Sequence, residues 1–372
     1  MGFNSIYDWS KSTLTRLIYA HSSQKKIKLM WALIIFFDIT AAILMLEEIS
    51  PLPYNCFAIP IFLACLFFGK DGVWNILLNF ILLVVCLSMR GYSDLLPLVG
   101  RSAFELAKWL IVAVFTLVTV ENVRRIKDKE DHLDRDMELA RTLQRALIPG
   151  DCEIGRVKIS GIMRQCSTVG GDFYYFRPFQ KKYIVFCLGD VMGKGVSASM
   201  IMSIIMGFFF EWGKKTLSPA EITGMLNKRL LELFGNGFTL FSTLFYGVFD
   251  EESGKLSYIA SAHDTAMLIK TDGTVKHLTA EGFPVGALEE SVWEDRELQL
   301  EAGDKVVLFT DGITEARRGD DFFGMERALR FAEKNAGLKG EDFVKSFENE
   351  VLQFTGGNMN DDMAVIAVEI KS

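Results

Sequence analysis

The stretch from Tyr183 to Met200, YIVFCLGDVMGKGVSASM, determines the fold of the second half of the chain. Its apolar part predicts a strand over Tyr183–Gly189, which Asp190 ends. The small residues that follow form a turn over Val191–Gly195 and lead into a helix predicted to run to about Trp212.

The segments around this stretch predict layers of strands and helices. Further strands are expected at about Val157–Ile162, Phe173–Phe176, Ser242–Asp250, Lys255–Ser261, Ala266–Lys270, Val275–Leu278, Lys305–Thr310 and Ala364–Ile370. Further helices are expected at about Pro219–Phe234, Gly324–Asn335 and Lys339–Phe354. Because strands and helices come in runs, the pattern favours an α+β fold over a doubly wound parallel sheet.

Aspartates stand at the ends of several predicted strands, at Asp172, Asp190, Asp311 and Asp361, with Asp362 beside the last. Each alone is an ordinary turn residue. If the set converges, the carboxylates repel one another and need a divalent cation, and oxygen-only ligands favour Mg²⁺ or Mn²⁺ over zinc. Two such ions could lower the pKa of a bound water for in-line attack on a phosphate ester.

Six motifs give this half a specific resemblance. In chain order they are ARTLQRALIP (Ala140–Pro149), VGGDF (Val169–Phe173), GDVMGKGVSASM (Gly189–Met200), FTDGITEA (Phe309–Ala316), FGME (Phe323–Glu326) and DDMAV (Asp361–Val365). Together they resemble the SpoIIE/RsbU family of bacterial phosphatases, within the metal-dependent PP2C-like (PPM) superfamily. The resemblance extends over residues 138–370 and implies an α-β-β-α sandwich with a two-metal centre between the sheets.

The resemblance also implies roles for the residues that match its motifs. Asp190 would bridge both metals and the backbone carbonyl of Val191 would be a ligand, while Asp311 would bind one metal and Asp361 the other. Asp172 would act on the metal shell, directly or through water, and Asp362 is not expected to be a ligand. The implied reaction is hydrolysis of phosphoserine or phosphothreonine on a partner, typically an anti-sigma-factor antagonist with a STAS fold. Ala140–Pro149 would belong to the regulatory element that joins input to catalysis.

Two positions depart from the family pattern. Ser261-Ala262-His263-Asp264-Thr265 stands where the family usually has Ala-Gly-His-Asn-Pro, and Ala364 replaces a frequent Thr. Neither change removes an expected ligand, so an active enzyme is favoured over an inactive relative. His263 is interpreted as structural. Lys194 is a candidate for phosphate binding, although a surface lysine in a turn is the simpler interpretation.

The first part of the chain differs in composition. Half of all residues are hydrophobic, and this excess lies almost entirely before residue 121. Apolar stretches at about Met30–Leu46, Tyr54–Phe68, Trp74–Ser88 and Ala103–Val120 predict about four membrane-spanning helices, of which the second and third are short. The expected organisation is a membrane domain over residues 1–120, a helical linker over 121–150 and a phosphatase domain over 151–372.

Basic residues flank the apolar stretches, with Lys25, Lys26 and Lys28 before the first and Arg124 and Arg125 after the last. Both flanks are therefore expected in the cytoplasm, which places a multi-pass protein in the bacterial inner membrane, in contact with lipid. Two features inside the spans stand out. Asp38 is a candidate sensory residue because ionisable groups in hydrocarbon are costly. The second feature, Arg101 with Glu105, is equally consistent with an interfacial ion pair.

Residues 121–147 are highly charged, and Ile126, Leu133, Met137, Ala140 and Leu147 approach a seven-residue spacing. This favours a coiled coil that pairs two chains, although a solvated helix packed on its own domain remains open. The net charge of −7 without a basic stripe gives no support for nucleic-acid binding. The six cysteines form no CxxC pair and are expected to be reduced.

Two rival functions were considered. Gly170-Gly171-Asp172-Phe173 resembles a diguanylate cyclase signature but lacks its second acid and leaves the later motifs unexplained. The other rival is a catalytically silent sensor or scaffold that uses the phosphatase domain only to bind its partner, which metal-dependent turnover would distinguish.

Overall fold

The computed structural model describes residues 24–46, 58–89, 95–213, 216–235, 240–263, 265–278 and 282–371. The chain divides into two compact units, Met1–Asp134 and Arg135–Ser372. The boundary lies within one long helix, so the predicted limit at residue 120 falls fourteen residues before it.

The described part of the first unit is helical. It contains α1 (Gln24–Leu46), α2 (Ala58–Phe68), a 3₁₀ turn (Gly69–Val73), α3 (Trp74–Met89) and the first part of α4 (Leu95–Leu147). Each predicted apolar stretch lies on one of these helices, except that Tyr54–Phe57 falls outside the described residues. Among the described helices, one segment, Leu106–Leu147, is long and apolar enough to cross a membrane, and Met30–Ile43, Ala58–Phe68 and Asp71–Cys86 are shorter apolar helices. Four spans therefore remain a prediction.

Side chains from all four helices form the core of this unit, with Trp109, Leu83 and Ile61 among its buried members. Large apolar side chains also point outward, including Phe36, Ile111 and Phe115. Helices that are apolar on their outer faces as well as their inner ones are typical of a lipid environment. The side chains of Arg101 and Glu105 lie outside the described residues, so their ion pair is untested.

Two antiparallel sheets form the centre of the second unit. The first sheet has six strands, in the order β1 (Cys152–Ile154), β2 (Val157–Arg164), β13 (Met363–Ile370), β10 (Lys305–Phe309), β7 (Ala266–Ile269) and β8 (Val275–Leu278). The second sheet has five strands, in the order β3 (Phe173–Phe179), β4 (Tyr183–Val191), β5 (Ser242–Asp250), β6 (Lys255–Ser261) and β9 (Arg296–Gln299). Two strands of two residues each, β11 (Arg317–Arg318) and β12 (Asp321–Phe322), form a hairpin that belongs to neither of these sheets.

Helices cover the outer face of each sheet. Against the five-stranded sheet pack α5 (Val196–Trp212) and α6 (Pro219–Phe234), and against the six-stranded sheet pack α8 (Gly324–Lys334) and α9 (Gly340–Thr355). A third apolar cluster, with Phe186, Phe245 and Ile366, fills the space between the sheets. The predicted α-β-β-α sandwich is confirmed. Because β4 is covered on both faces, its residues 183–188 form an unbroken apolar run.

Local sequence signals explain where several elements begin and end. The hairpin between β3 and β4 turns at Gln180 and Lys181, both in the left-handed region. Helix α6 begins with Pro219 after the N-cap Ser218, whose hydroxyl accepts a hydrogen bond from the Glu221 amide at 3.1 Å. Helix α9 ends at Gly356, with φ of 67°.

The linker helix keeps its predicted apolar stripe partly exposed. Ile126 and Leu133 are 55% and 61% exposed, whereas Leu147 packs on the core beside α5. The last turns of α4 therefore pack on their own domain, as one of the two interpretations of the sequence requires. The stripe before them is free to contact another chain, so dimerisation stays a prediction.

The turn that departs from the family pattern has an unusual backbone. Ala262 has φ of 51°, a left-handed conformation in a position where the family usually has glycine. A Cβ atom in this region costs roughly 1–2 kcal/mol. Thr265, in the usual proline position, donates its hydroxyl hydrogen to the Phe309 carbonyl. Ala262 is therefore a strained residue in this segment.

We expect Ala262→Gly to stabilise the protein by about 0.5–1 kcal/mol, since relief of the left-handed strain exceeds the added entropy of the unfolded chain. Urea unfolding of a fragment over residues 121–372 measures the change. Ala260→Gly is the matched control, because Ala260 lies in β6 with ordinary strand geometry and its replacement should destabilise. Equal destabilisation by both replacements would contradict the interpretation.

Candidate active site

Four aspartates from the two sheets meet at one end of the sandwich. Asp172 directly precedes β3 and Asp190 is the penultimate residue of β4, both in the five-stranded sheet. Asp311 begins the short helix α7 (Asp311–Thr314) after β10, and Asp361 lies two residues before β13. Thr310 Oγ1 donates a hydrogen bond to Asp172 Oδ2 at 2.7 Å, which joins the two sheets directly beneath the cluster.

Asp172 and Asp190 each influence the pKa of the other, and both lie among further carboxylates. Burial, and then the charge of Asp190, raises the pKa of Asp172 well above its ordinary value. Burial, followed by the charge of Asp311, raises the pKa of Asp190 to about 7. Burial and neighbouring carboxylates therefore disfavour the ionised forms of these groups, a cost that a bound cation would relieve.

Asp311 and Asp361 form the more open side of the cluster. Partial desolvation, then Glu315 and Asp361, raises the pKa of Asp311, although this residue keeps one edge in solvent. Lys194 Nζ lies 2.7 Å from Asp361 Oδ2 and donates a second bond to the Asn360 carbonyl, also at 2.7 Å. Lys194 is therefore an exposed lysine of the glycine-rich turn, as the simpler sequence interpretation holds, and it also contacts the acidic cluster through Asp361.

Asp362 has a different function from its neighbour. Its carboxylate is buried and accepts bonds from the amides of Cys166 at 2.8 Å and Gly171 at 3.0 Å. A Cβ atom at Gly170 would lie 1.9 Å from Asp362 Oδ2, and one at Gly312 would lie 1.7 Å from the Asp362 carbonyl oxygen. Asp362 thus ties the loop before Asp172 to β13, which explains the glycines in VGGD and FTDG.

The backbone around Asp190 is fixed by two hydroxyl groups on β5. The Asp190 amide donates to Thr243 Oγ1 at 3.2 Å, and Ser242 Oγ donates to the Asp190 carbonyl at 2.8 Å. The Val191 carbonyl oxygen would lie 2.8 Å from a Cβ atom at Gly171, so this oxygen faces the loop that carries Asp172. The geometry is compatible with the predicted ligand role of Val191.

His263 is a structural residue in this arrangement. It is buried, with Nδ1 at 3.1 Å from Thr243 Oγ1 and Nε2 at 3.2 Å from Thr265 Oγ1. It therefore supports the threonine that holds the Asp190 amide. Ala364 also has a clear explanation, because its methyl group lies in the core and its amide donates to Thr310 Oγ1 at 2.9 Å.

Divalent metals suit this donor set. Asp172, Asp190, Asp311, Asp361 and the Val191 carbonyl offer only oxygen atoms, and the crowded carboxylates need positive charge. In the described part of the chain, no three His, Cys, Asp or Glu side chains already stand at metal-binding spacing. The ligand assignment thus remains a prediction that the chemistry of the site supports.

Gln144 and Thr310 lie beside the site but were not singled out from the sequence. Gln144 is 3% exposed, and its side-chain amide donates to the Gly170 carbonyl at 2.6 Å and accepts from the Gly170 amide at 3.2 Å. Gln165 also donates to Gln144 Oε1. The signal for Gln144 was present, because it is a polar residue inside ARTLQRALIP at a position of the apolar stripe.

Comparison with known proteins identifies the family. The model described as Stage II sporulation protein E (SpoIIE) matches residues 180–371, just over half of the chain. The chain belongs to the SpoIIE family. Its sandwich is a phosphatase domain of the PP2C type, and it places the chain among the serine/threonine phosphatases. The SpoIIE assignment excludes the cyclase alternative, and Phe173, where that alternative needs an acid, is fully buried.

The relatives of this chain differ in the share of their own length that the chain covers. Phosphoserine phosphatase RsbU of Bacillus subtilis is 22% identical over 291 residues, which cover 77% of this chain and 86% of RsbU. Protein IcfG of Synechocystis sp. is 26% identical over 275 residues, but the chain spans only 43% of its length. The PP2C domain of SiaA from Pseudomonas aeruginosa has a TM-score of 0.57 at 17% identity, over 65% of this chain and 99% of that domain. That last likeness shows the fold alone.

We expect Asp190→Asn and Asp311→Asn each to lower kcat by at least about 100-fold, because each removes metal-binding charge that no neighbour replaces. Turnover of p-nitrophenyl phosphate under saturating Mn²⁺ measures this loss. Asp342→Asn is the control, since Asp342 is an exposed carboxylate in the first turn of α9. Turnover like that of the natural protein in either site variant would rule out the assignment.

Proposed function

We propose that this chain is a membrane-anchored, metal-dependent protein serine/threonine phosphatase that dephosphorylates a regulatory partner in response to a signal. The observation that carries the proposal is the convergence of Asp172, Asp190, Asp311 and Asp361 at the ends of strands from both sheets. Acidic side chains so close together are stable only with a proton or a cation among them. Membership of the SpoIIE family supports the choice of a cation.

In this proposal the chain holds two Mn²⁺ or Mg²⁺ ions. Asp190, the Val191 carbonyl, Asp311 and Asp361 would hold them, and Asp172 would act on the metal shell. The ions would supply an ionised water for in-line attack and neutralise the phosphoryl oxygens. The rigid strand ends keep the carboxylates in place during the reaction, because Thr243, Ser242 and Thr310 hold their backbone and side chains.

The proposed substrate is the phosphoserine or phosphothreonine of an anti-sigma-factor antagonist with a STAS fold. Support comes from the relative RsbU, whose name describes a phosphoserine phosphatase. The Ala140–Pro149 segment is the proposed regulatory element, since Gln144 binds the loop that ends at Asp172. A movement of this helix would reach the site through Gly170.

The proposed location is the bacterial inner membrane, with the catalytic domain in the cytoplasm and about four spans in the bilayer. The basic flanks of the apolar stretches support the orientation. The apolar segment of Leu106–Leu147 and the shorter apolar helices before it support the anchoring. No nucleic acid is expected among the partners.

The fragment over residues 121–372 tests the enzymatic proposal. We expect hydrolysis of p-nitrophenyl phosphate and of a phosphoserine peptide with Mn²⁺, and loss of both with EDTA, because the carboxylates cannot activate water without a cation. The full-length protein in detergent is assayed in parallel. If neither protein shows metal-dependent turnover, the domain is a binding module and the phosphatase proposal fails.

Dimerisation is tested separately. We expect the detergent-solubilised full-length protein to be a dimer by light scattering, since Ile126 and Leu133 present an exposed apolar stripe. Replacing both with Lys should give a monomer, whereas replacing the exposed Arg125 and His132 with Lys and Gln should leave the dimer intact. A monomeric natural protein would contradict this part of the proposal.

A further inference from the structure

Three polar side chains are buried together in the first unit, away from the catalytic site. Asp38 on α1 is 2% exposed, and Asn75 and Asn79 on α3 are 2% and 0% exposed. Asn75 Nδ2 donates to Asp38 Oδ2 at 3.0 Å, and Asn79 Nδ2 donates to Asn75 Oδ1 at 2.7 Å. The Asn79 side chain also faces the Asp38 carboxylate. These residues form one connected cluster between two helices.

Two oxygen atoms in this cluster have no hydrogen-bond partner. They are Asp38 Oδ1 and Asn79 Oδ1, both completely shielded from solvent. The amide groups of Asn75 and Asn79 already donate within the cluster, Asn79 also to the Asn75 carbonyl at 2.8 Å. Buried acceptors without partners are costly, so a chain that keeps two of them together has a reason to do so. The unpaired oxygen atoms of Asp38 and Asn79 would be stabilised by a positive charge.

The charge of the cluster indicates which cation would fit. Asp38 supplies one negative charge when it is ionised, and the core of this unit around α1 and α3 consists of apolar side chains such as Ile76 and Leu83. A monovalent ion would make the cluster neutral, whereas a divalent ion would leave a net positive charge in an apolar surrounding. Carboxylate and amide oxygens are the ligands that hard cations prefer.

We propose that Asp38 and Asn79, held in place by Asn75, bind a monovalent metal cation of the sodium type inside the first unit. Asp38 Oδ1 and Asn79 Oδ1 are the ligands that the structure provides. The site goes beyond the proposed phosphatase activity, because it gives the membrane unit a ligand of its own. A purely structural network that joins α1 to α3 is the competing explanation.

The test uses the full-length protein in lipid nanodiscs, with thermal unfolding followed by tryptophan fluorescence. NaCl replaces choline chloride at constant ionic strength, and KCl replaces it in a parallel series. We expect the midpoint of unfolding to rise with Na⁺ and to saturate, because a ligand that binds only the folded state stabilises it. The same series is repeated over a range of pH.

Variants assign the effect to the cluster. Asp38→Asn should abolish the response to Na⁺, and Asn79→Ala should raise the half-saturating Na⁺ concentration by at least about tenfold. Asp71→Asn is the matched control, because Asp71 is an exposed carboxylate in the same unit and should keep the full response. A cooperative unfolding transition in all three variants shows that each is folded, and because this readout needs no phosphatase activity it separates the test from that of the phosphatase proposal.

Three results would overturn the proposal. Equal midpoints in choline, sodium and potassium would show that the cluster only joins the helices. A response to Na⁺ that persists in both Asp38→Asn and Asn79→Ala would place the ion elsewhere. A midpoint that changes with pH but not with Na⁺ would show that the cluster takes a proton instead of a metal ion.

Discussion

Electrostatic repulsion among the aspartates is the constraint on which the second unit depends. Carboxylates brought together from two sheets repel each other, and this repulsion adds to the larger effect of burial in raising the pKa values of Asp172, Asp190 and Asp311. The fold withstands it because each aspartate lies at the end of a strand whose other residues are buried. The three apolar layers of the sandwich therefore provide the rigidity that the acidic site requires.

The residues around the aspartates are as important for the geometry of the site as the aspartates themselves. Asp362 binds two backbone amides and leaves no room for a side chain at Gly170 or Gly312. Thr310 joins Asp172 to β13, and His263 supports Thr243 beneath Asp190. These polar groups are buried and satisfied, and such networks rigidify a site when every member is paired. They also explain why short motifs with fixed glycines recur around the acids.

The sequence was sufficient to predict the elements of the sandwich, because β4, α5 and α6 have strong apolar patterns and clear end signals. It could not place β1, β9 or the hairpin of β11 and β12, which are short and polar and owe their form to their neighbours. For the site, the aspartates were recognised as a set, but Gln144 and Thr310 were missed since only the folded chain shows what their side chains contact. The ion pair of Lys194 with Asp361 was missed for the same reason, because the two residues are far apart along the chain.

The paired hydrogen bonds of Gln144 have a consequence for how the enzyme could be tuned. One side-chain amide contacts both the amide and the carbonyl of Gly170, two residues from Asp172. This match depends on which face of α4 is turned toward the domain. A shift of one residue along the helix rotates that face by about 100° and would remove both bonds at once. The two bonds of Gln144 therefore form in only one rotational orientation of the helix about its axis, so they make the loop before Asp172 sensitive to helix rotation.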